Sequence, residues 1–180
     1  LATASADGTV TFWDAVTETF LGTLSIHTGR VWALQLSPDG RLLASASGER
    51  TVRLWDAITG APLRTVIGHT GRVSVLQFSP VYPDGRLLLA TGSADGTARL
   101  WDTASGESLH TLTGQGANDE FGTSVAGAGD ANGDGTPDVL VGAPQSGGAG
   151  PGKAHLHSGS TGALLLTLTG QAAGDRFGSS

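Results

Sequence analysis

The sequence predicts an all-β chain of small antiparallel sheets, four strands to a unit, laid face to face. Three observations lead there. One stretch recurs three times, as Thr9-Val10-Thr11-Phe12-Trp13-Asp14, Thr51-Val52-Arg53-Leu54-Trp55-Asp56 and Thr97-Ala98-Arg99-Leu100-Trp101-Asp102. Each copy is rich in β-branched, aromatic or long aliphatic residues, and each follows a turn signal, Asp7-Gly8, Glu49-Arg50 or Asp95-Gly96. A short apolar run after such a turn reads as the second strand of a hairpin. Neither side of the run is consistently polar, so each strand is covered on both faces, as stacked sheets would cover it.

The elements follow in order. Leu1 to Ser5, Leu42 to Ser47 and Leu87 to Ser93 are the strands before each turn. Phe20 to Leu24, Pro62 to Val66 and Ser108 to Leu112 are strands after each Trp-Asp. Loops at Ile26-His27-Thr28-Gly29-Arg30 and Gly68-His69-Thr70-Gly71-Arg72 lead into strands Val31 to Leu36 and Val73 to Phe78. Ser37-Pro38-Asp39-Gly40-Arg41 makes a turn, echoed by Ser79-Pro80 and Asp84-Gly85-Arg86. The unit length is the tryptophan spacing, 42 from Trp13 to Trp55 and 46 from Trp55 to Trp101. The extra residues fall largely at Val81-Tyr82-Pro83, an insertion in a turn.

Composition excludes several classes. With 10 Lys and Arg against 16 Asp and Glu, the net charge is -6, a poor match to phosphate neutralisation on nucleic acid. No run of eighteen apolar residues exists to span a membrane as a helix. Without cysteine there is neither a disulfide nor a thiolate metal site. The chain lacks methionine and opens at Leu1 inside a strand, which points to a fragment of a longer protein. The 29 glycines suit a fold of many tight turns.

Gly68-His69, Ser79-Pro80, Asp84-Gly85, Ser93-Ala94-Asp95-Gly96 and Trp101-Asp102 resemble WD-repeat β-propeller blades, over residues 1–114. The resemblance implies a buried hydrogen-bond network of a loop His, a strand Ser or Thr, the turn Asp and the Trp. In one blade these are His69, Thr91 or Ser93, Asp95 and Trp101. In the preceding blade they are His27, Ser45 or Ser47, Glu49 and Trp55, with Glu49 in place of Asp and Ile26 in place of Gly. The first blade has Asp7 and Trp13 but no His and no innermost strand.

After Leu112-Thr113-Gly114 the tryptophans stop and a second repeat begins. Thr111-Leu112-Thr113-Gly114-Gln115 and Asp119-Glu120-Phe121-Gly122 return 56 residues later as Thr167-Leu168-Thr169-Gly170-Gln171 and Asp175-Arg176-Phe177-Gly178. With Gly142-Ala143-Pro144 between the copies, residues 115–180 resemble FG-GAP repeats of integrin-α-like propellers: one complete blade with a calcium loop, and the start of a second. His155-Leu156-His157-Ser158-Gly159 takes the place of Ala98 to Asp102. Together the two resemblances imply a β-propeller of about four blades, part of a larger ring or of a homo-oligomer. Phe177-Gly178-Ser179 is placed to pair with Leu1 to Ser5 and close a ring, which would remove exposed edges.

The sharpest local signal is Asp130-Ala131-Asn132-Gly133-Asp134-Gly135-Thr136-Pro137-Asp138, three carboxylates and one carboxamide in nine residues. Hard oxygen ligands without His or Cys favour calcium. The expected ligands are the side chains of Asp130, Asn132, Asp134 and Asp138 and the carbonyl of Thr136. A bidentate carboxylate or a water would bring the coordination to about six or seven oxygens. An EF-hand does not fit, because Val141 stands where that loop needs Glu and the flanks read as strands. The competing reading is an ordinary Asp/Asn/Gly turn without an ion. Extracellular modules bind calcium weakly, which points the parent protein to the cell surface or outside, while the WD part fits the cytoplasm equally well.

Other candidates are weaker. His155 and His157 share one face of a strand but have no identifiable third zinc ligand, and a packed pair is expected. Ser158 and Ser160 lack a nucleophile-elbow pattern, and Gln145 to Gly152 lacks the phosphate-loop pattern. Arg30 and Arg72 stand just before the innermost strands, a neighbourhood that the WD resemblance implies lies on a partner face; with Trp32 they form a candidate partner-binding patch near the channel mouth, and the competing reading is solvated loop arginines and a packed indole. The expected function is a non-enzymatic scaffold recognising a protein or surface ligand, with no catalytic residues and calcium as cofactor. The competing class is an accessory region of a larger secreted hydrolase or signalling enzyme.

Overall fold

The computed structural model describes residues 1–82, 84–116, 119–145 and 150–179. Pro83 of the expected insertion and residues 146–149 of the glycine-rich loop lie outside them. Among the described residues, fifteen strands form four antiparallel sheets, each a simple up-and-down meander. Sheet 1 holds β1 (Ala2–Ala4), β2 (Thr9–Trp13) and β3 (Phe20–Ser25). Sheet 2 holds β4 (Val31–Leu36), β5 (Leu42–Ser47), β6 (Thr51–Asp56) and β7 (Pro62–Ile67). Sheet 3 holds β8 (Val73–Phe78), β9 (Leu88–Ser93), β10 (Thr97–Asp102) and β11 (Ser108–Thr113). Sheet 4 holds β12 (Ser124–Gly129), β13 (Asp138–Ala143), β14 (Lys153–His157) and β15 (Leu164–Thr169).

Strand alternation sends neighbouring side chains to opposite faces, and here it builds one core between each pair of sheets. Leu43 and Trp55 turn back to meet Val10, Ile26 and Val31, whereas Ala44, Ala46, Val52 and Leu54 turn forward to meet Leu89 and Trp101 of sheet 3. Ala90, Ala98 and Leu100 leave the other face of sheet 3 to meet Phe121, Val139 and Val141. Both faces of sheets 2 and 3 are therefore dry, which explains the lack of a polar side in their central strands. At about 1.5–3 kcal/mol per fully buried large apolar side chain, these interlayer cores are the main support of the stack.

Polar ties reinforce the layers. Gln35 Oε1 on β4 accepts from Phe78 N on β8 at 2.7 Å. On the outer strands, the Arg64 guanidinium donates to Ser105 O at 2.8 Å, and one sheet further His110 Nε2 donates to Ser160 O at 3.1 Å. All four sheets slip register at the same place, between Phe12 and Trp13, Leu54 and Trp55, Leu100 and Trp101, and Leu156 and His157. After each slip comes a side-chain-capped turn: Asp14, Asp56 and Asp102 accept two backbone N–H bonds each, and Ser158 Oγ accepts from Thr161 N. This aligns Ala154 to Ser158 with Ala98 to Asp102, one residue earlier than the sequence reading, and puts His157 where sheet 3 has Trp101.

The sheets are not closed into a ring. Phe177 to Ser179 does not pair with β1. It lies on sheet 4, where Gly178 O accepts from Ser124 Oγ at 3.0 Å. Asp175 Oδ1 accepts from Phe177 N at 3.0 Å, and the segment runs as a turn, not as a strand.

Candidate functional site

Sheets 2 and 3 are each locked by a buried polar network. In sheet 3, His69 Nδ1 donates to Asp95 Oδ2 at 2.9 Å. A carboxylate can only accept, so Nδ1 carries the proton and Nε2 accepts from Thr91 Oγ1 at 2.8 Å. Trp101 Nε1 then donates to the same hydroxyl at 2.9 Å. Of the two hydroxyls expected here, Thr91 takes the role, and Ser93 Oγ instead accepts from Asp95 N at 3.2 Å. Sheet 2 repeats the circuit: His27 to Glu49 at 2.6 Å, His27 to Ser45 at 2.9 Å, and Trp55 to Ser45 at 3.1 Å. The longer Glu49 still reaches, and it gains Thr28 Oγ1 and, at 3.2 Å, Arg53. Sheet 1, without a histidine, keeps only the last link, Trp13 Nε1 to Thr3 Oγ1 at 3.0 Å.

The electrostatics follow from burial and bonding. Burial pushes the pKa of His27 and His69 down, more than their carboxylate partners raise it. Burial also works against ionisation of Glu49, but bonds from Thr28 and His27 outweigh it and bring its pKa down to about 2. Asp95 is held low in the same way, burial being outweighed by bonds from Thr97, Thr70 and His69. The pairs are therefore neutral imidazole against carboxylate. Each imidazole also meets a hydroxyl, Ser45 or Thr91, which is fully buried and held by Trp55 or Trp101.

The join between sheets 3 and 4 uses other residues. Asp119 Oδ1 accepts from Phe121 N at 3.1 Å, which aims the Phe121 ring into the interlayer core. Gly122 lies so flat on sheet 3 that a Cβ at Gly92 would stand 2.1 Å from its carbonyl oxygen. The same contact recurs one sheet on, where a Cβ at Gly142 would stand 1.9 Å from Gly178 O. Phe121 meets His155 and His157, both buried, with ring centroids 5.6 and 5.9 Å away. His155 Nδ1 bonds Thr167 Oγ1 and His157 Nδ1 donates to Gly162 O, each at 3.1 Å, while both Nε2 atoms have no partner. Among the described residues no third zinc ligand stands with them.

The acidic loop is tied down through its own oxygens. Asp130 accepts from Asp134 N and Gly135 N, both at 2.9 Å. Asn132 Oδ1 accepts from the same Asp134 N at 2.9 Å, so the Asp130 and Asn132 oxygens sit over one amide. Asp134 Oδ1 accepts from Thr136 N at 2.8 Å, and Oδ2 accepts from Ser160 Oγ at 2.7 Å. Buried Asp138 accepts from Ala131 N at 2.9 Å and Gly159 N at 3.0 Å. The sequence did not reveal this last anchorage on the turn after β14. Among the described residues no three His, Cys, Asp or Glu side chains converge as a metal cluster. The donor set itself is all oxygen, and carboxylate oxygens retain lone pairs beyond these N–H bonds, so it suits a hard cation. Beside the loop, the inserted Tyr82 is buried with its hydroxyl unpartnered, and burial first, then Arg86, Asp134 and Asp138 set its pKa, pushed up to about 12.

Arg30, Trp32 and Arg72 come together. Both guanidiniums lie over the Trp32 ring, Arg30 at 4.3 Å and Arg72 at 4.4 Å from its centroid, and Trp32 stays 38% exposed. Neither arginine forms an ion pair among the described residues.

Stacked four-stranded meanders of this kind are consistent with β-propeller blades. The family comparisons say which repeats. The WD domain, G-beta repeat model matches residues 18–56 and 60–102, and the FG-GAP repeat model matches residues 121–157. The chain thus carries WD40 repeats followed by an FG-GAP repeat. Each WD match begins on the outer strand of one sheet and ends on the third strand of the next, so the repeat itself staples two layers. No curated protein matches the chain. Among the described residues no helix is long and apolar enough to cross a membrane.

Proposed function

We propose that this chain is a non-enzymatic scaffold that recognises a protein or surface ligand, with a calcium ion stiffening the Asp130–Asp138 loop. Both matched families are non-catalytic repeats. The observation that carries the recognition reading is the Arg30–Trp32–Arg72 stack, an exposed aromatic ring with two cations over it that form no ion pair among the described residues. Arginine and tryptophan are the residue types that concentrate binding energy at interfaces, and stacking fixes their rotamers before a partner arrives. Capture experiments with the wild type and with Trp32→Ala test it: the same partners retained at equal recovery would sink the patch.

The calcium reading is supported by the oxygen-only donor set and by the anchorage of Asp134 and Asp138 on residues 158–160. Asp130, Asn132, Asp134, Asp138 and the Thr136 carbonyl would hold the ion. Binding to the folded state alone raises stability by mass action. The melting temperature should therefore rise with added calcium and fall with chelator, and Asp130→Asn with Asp134→Asn should abolish the response. A titration with neither heat nor a melting shift would remove the ion.

A further inference from the structure

We infer that the groove between β3 and the turn after β6 takes an arginine side chain of a partner protein, with its guanidinium on Ile58 O and Thr59 O. This rests on the scaffold reading and names the chemistry of one contact. The groove has a volume of about 280 Å³. Leu21, Gly22 and Leu24 line it from sheet 1, and Ile58, Thr59 and Gly60 from the turn of sheet 2.

The other seams show what fills this place. Gly22, Arg64 and His110 hold one position in sheets 1, 2 and 3, opposite Phe12, Leu54 and Leu100. Arg64 crosses to the turn of sheet 3 and donates to Ser105 O at 2.8 Å and to Ala104 O. His110 crosses to the turn of sheet 4 and donates to Ser160 O at 3.1 Å. Gly22 has no side chain to send, and a Cβ there would meet nothing within 4 Å. Ile58 and Thr59 follow Asp56 as Ala104 and Ser105 follow Asp102. Both are exposed, and their carbonyls accept no hydrogen bond among the described residues. Leu24 covers Gly60, with Cδ1 3.2 Å from where a Cβ would stand, but it brings no donor.

These demands select the ligand. Two adjacent carbonyls call for two N–H donors. A guanidinium fork supplies both at once, as Arg64 does with two different nitrogens, whereas an ammonium is a point charge on a flexible stem. An arginine stem also lies well along apolar surface, which Leu21 and Leu24 offer here. The net charge of -6 favours the approach of a cation.

The test is heteronuclear NMR of the isotope-labelled chain, titrated with N-acetyl-arginine methylamide. The expected results are saturable shifts of the Gly22, Thr59 and Gly60 amides, and about tenfold weaker binding of the lysine analogue. Gly22→Arg should abolish the shifts and raise the melting temperature, because its own guanidinium fills the groove. Arg64→Ala opens the matching groove of the next seam, so the Ser105 and Gly106 amides should then shift as well. No shift in the wild type, or equal shifts in a folded Gly22→Arg, overturns the groove. Equal affinity for the lysine analogue, or no gain with a folded Arg64→Ala, overturns the guanidinium assignment. If the groove fails while Trp32-dependent capture persists, the scaffold reading stands without it.

Discussion

In sheet 3 the His69 ring meets the edge of Trp101 with centroids 6.1 Å apart; in sheet 4 the Phe121 ring meets the edge of His157 with centroids 5.9 Å apart. The position in the sheet is shared and the chemistry is exchanged. Sheet 3 places a hydroxyl, Thr91, between its two rings and a carboxylate, Asp95, behind them. In sheet 4 the register puts Val141 where Thr91 stands, and no carboxylate bonds either imidazole. One blade is closed by a satisfied polar circuit, the other by an apolar ring over two neutral histidines. A four-stranded meander accepts either, because what it needs at that point is a buried planar group that fills the layer.

If sheet 4 depends on its apolar ring, truncating that ring should be the most damaging single change. Phe121→Ala removes a side chain that is 1% exposed and should cost about 3–5 kcal/mol, read from urea unfolding. A loss under about 1 kcal/mol would mean that the seam repacks freely.

The polar circuit should be nearly as sensitive, for a different reason. Thr91→Val keeps the shape but leaves the Trp101 donor and the His69 acceptor buried and unpaired. At about 1–3 kcal/mol for each orphaned group, the loss should be at least about 2 kcal/mol. Thr167→Val in sheet 4 breaks one bond to His155 and should cost about 1 kcal/mol. Equal losses would erase the distinction between the two blades.

The seam itself can be probed by one methyl group. Gly92 is the position at which sheet 2 carries Ala46, and in sheet 3 the Phe121-Gly122 backbone lies directly on it. Gly92→Ala should force the layers apart at a cost of about 1–3 kcal/mol. Ala46→Gly, facing a WD blade, should cost about 0.5–1 kcal/mol through the unfolded chain.

Much of this plan was legible because Trp-Asp and the Asp-Gly turns recur with the strand period between them. The strand positions of residues 1–114 follow within a residue or two. The choice of Thr91 over Ser93 was not legible, since both lie on one face two residues apart and only register decides. Nor was the equivalence of His157 with Trp101, because the shared register slip leaves no mark in residue type. The sequence placed Arg30, Trp32 and Arg72 near one another but could not show the stacking.

The smallest effect per residue concerns protons. His27, His69, His155 and His157 all have pKa values below the usual imidazole value, with burial the leading cause in each. Below about pH 6.5 the unfolded chain therefore binds more protons than the folded one. The histidine contribution is complete above that pH and is lost as pH falls through the depressed folded values. Glu49 and Asp95 are depressed too, but from 4.5 and 3.8, so their contributions fade only in stronger acid. Between pH 7 and 5 the histidines act alone. In sheets 2 and 3 an imidazolium would face Glu49 with Arg53, or Asp95 with Arg99. In sheet 4, His155 would face His157 and Lys153, with Asp119 alone in its favour. Replacing His155 and His157 by Gln should therefore flatten the fall in melting temperature between pH 7 and 5 more than replacing His27 and His69 does. Equal slopes in the two double variants would mean that the carboxylates of the WD blades give their histidines no relief.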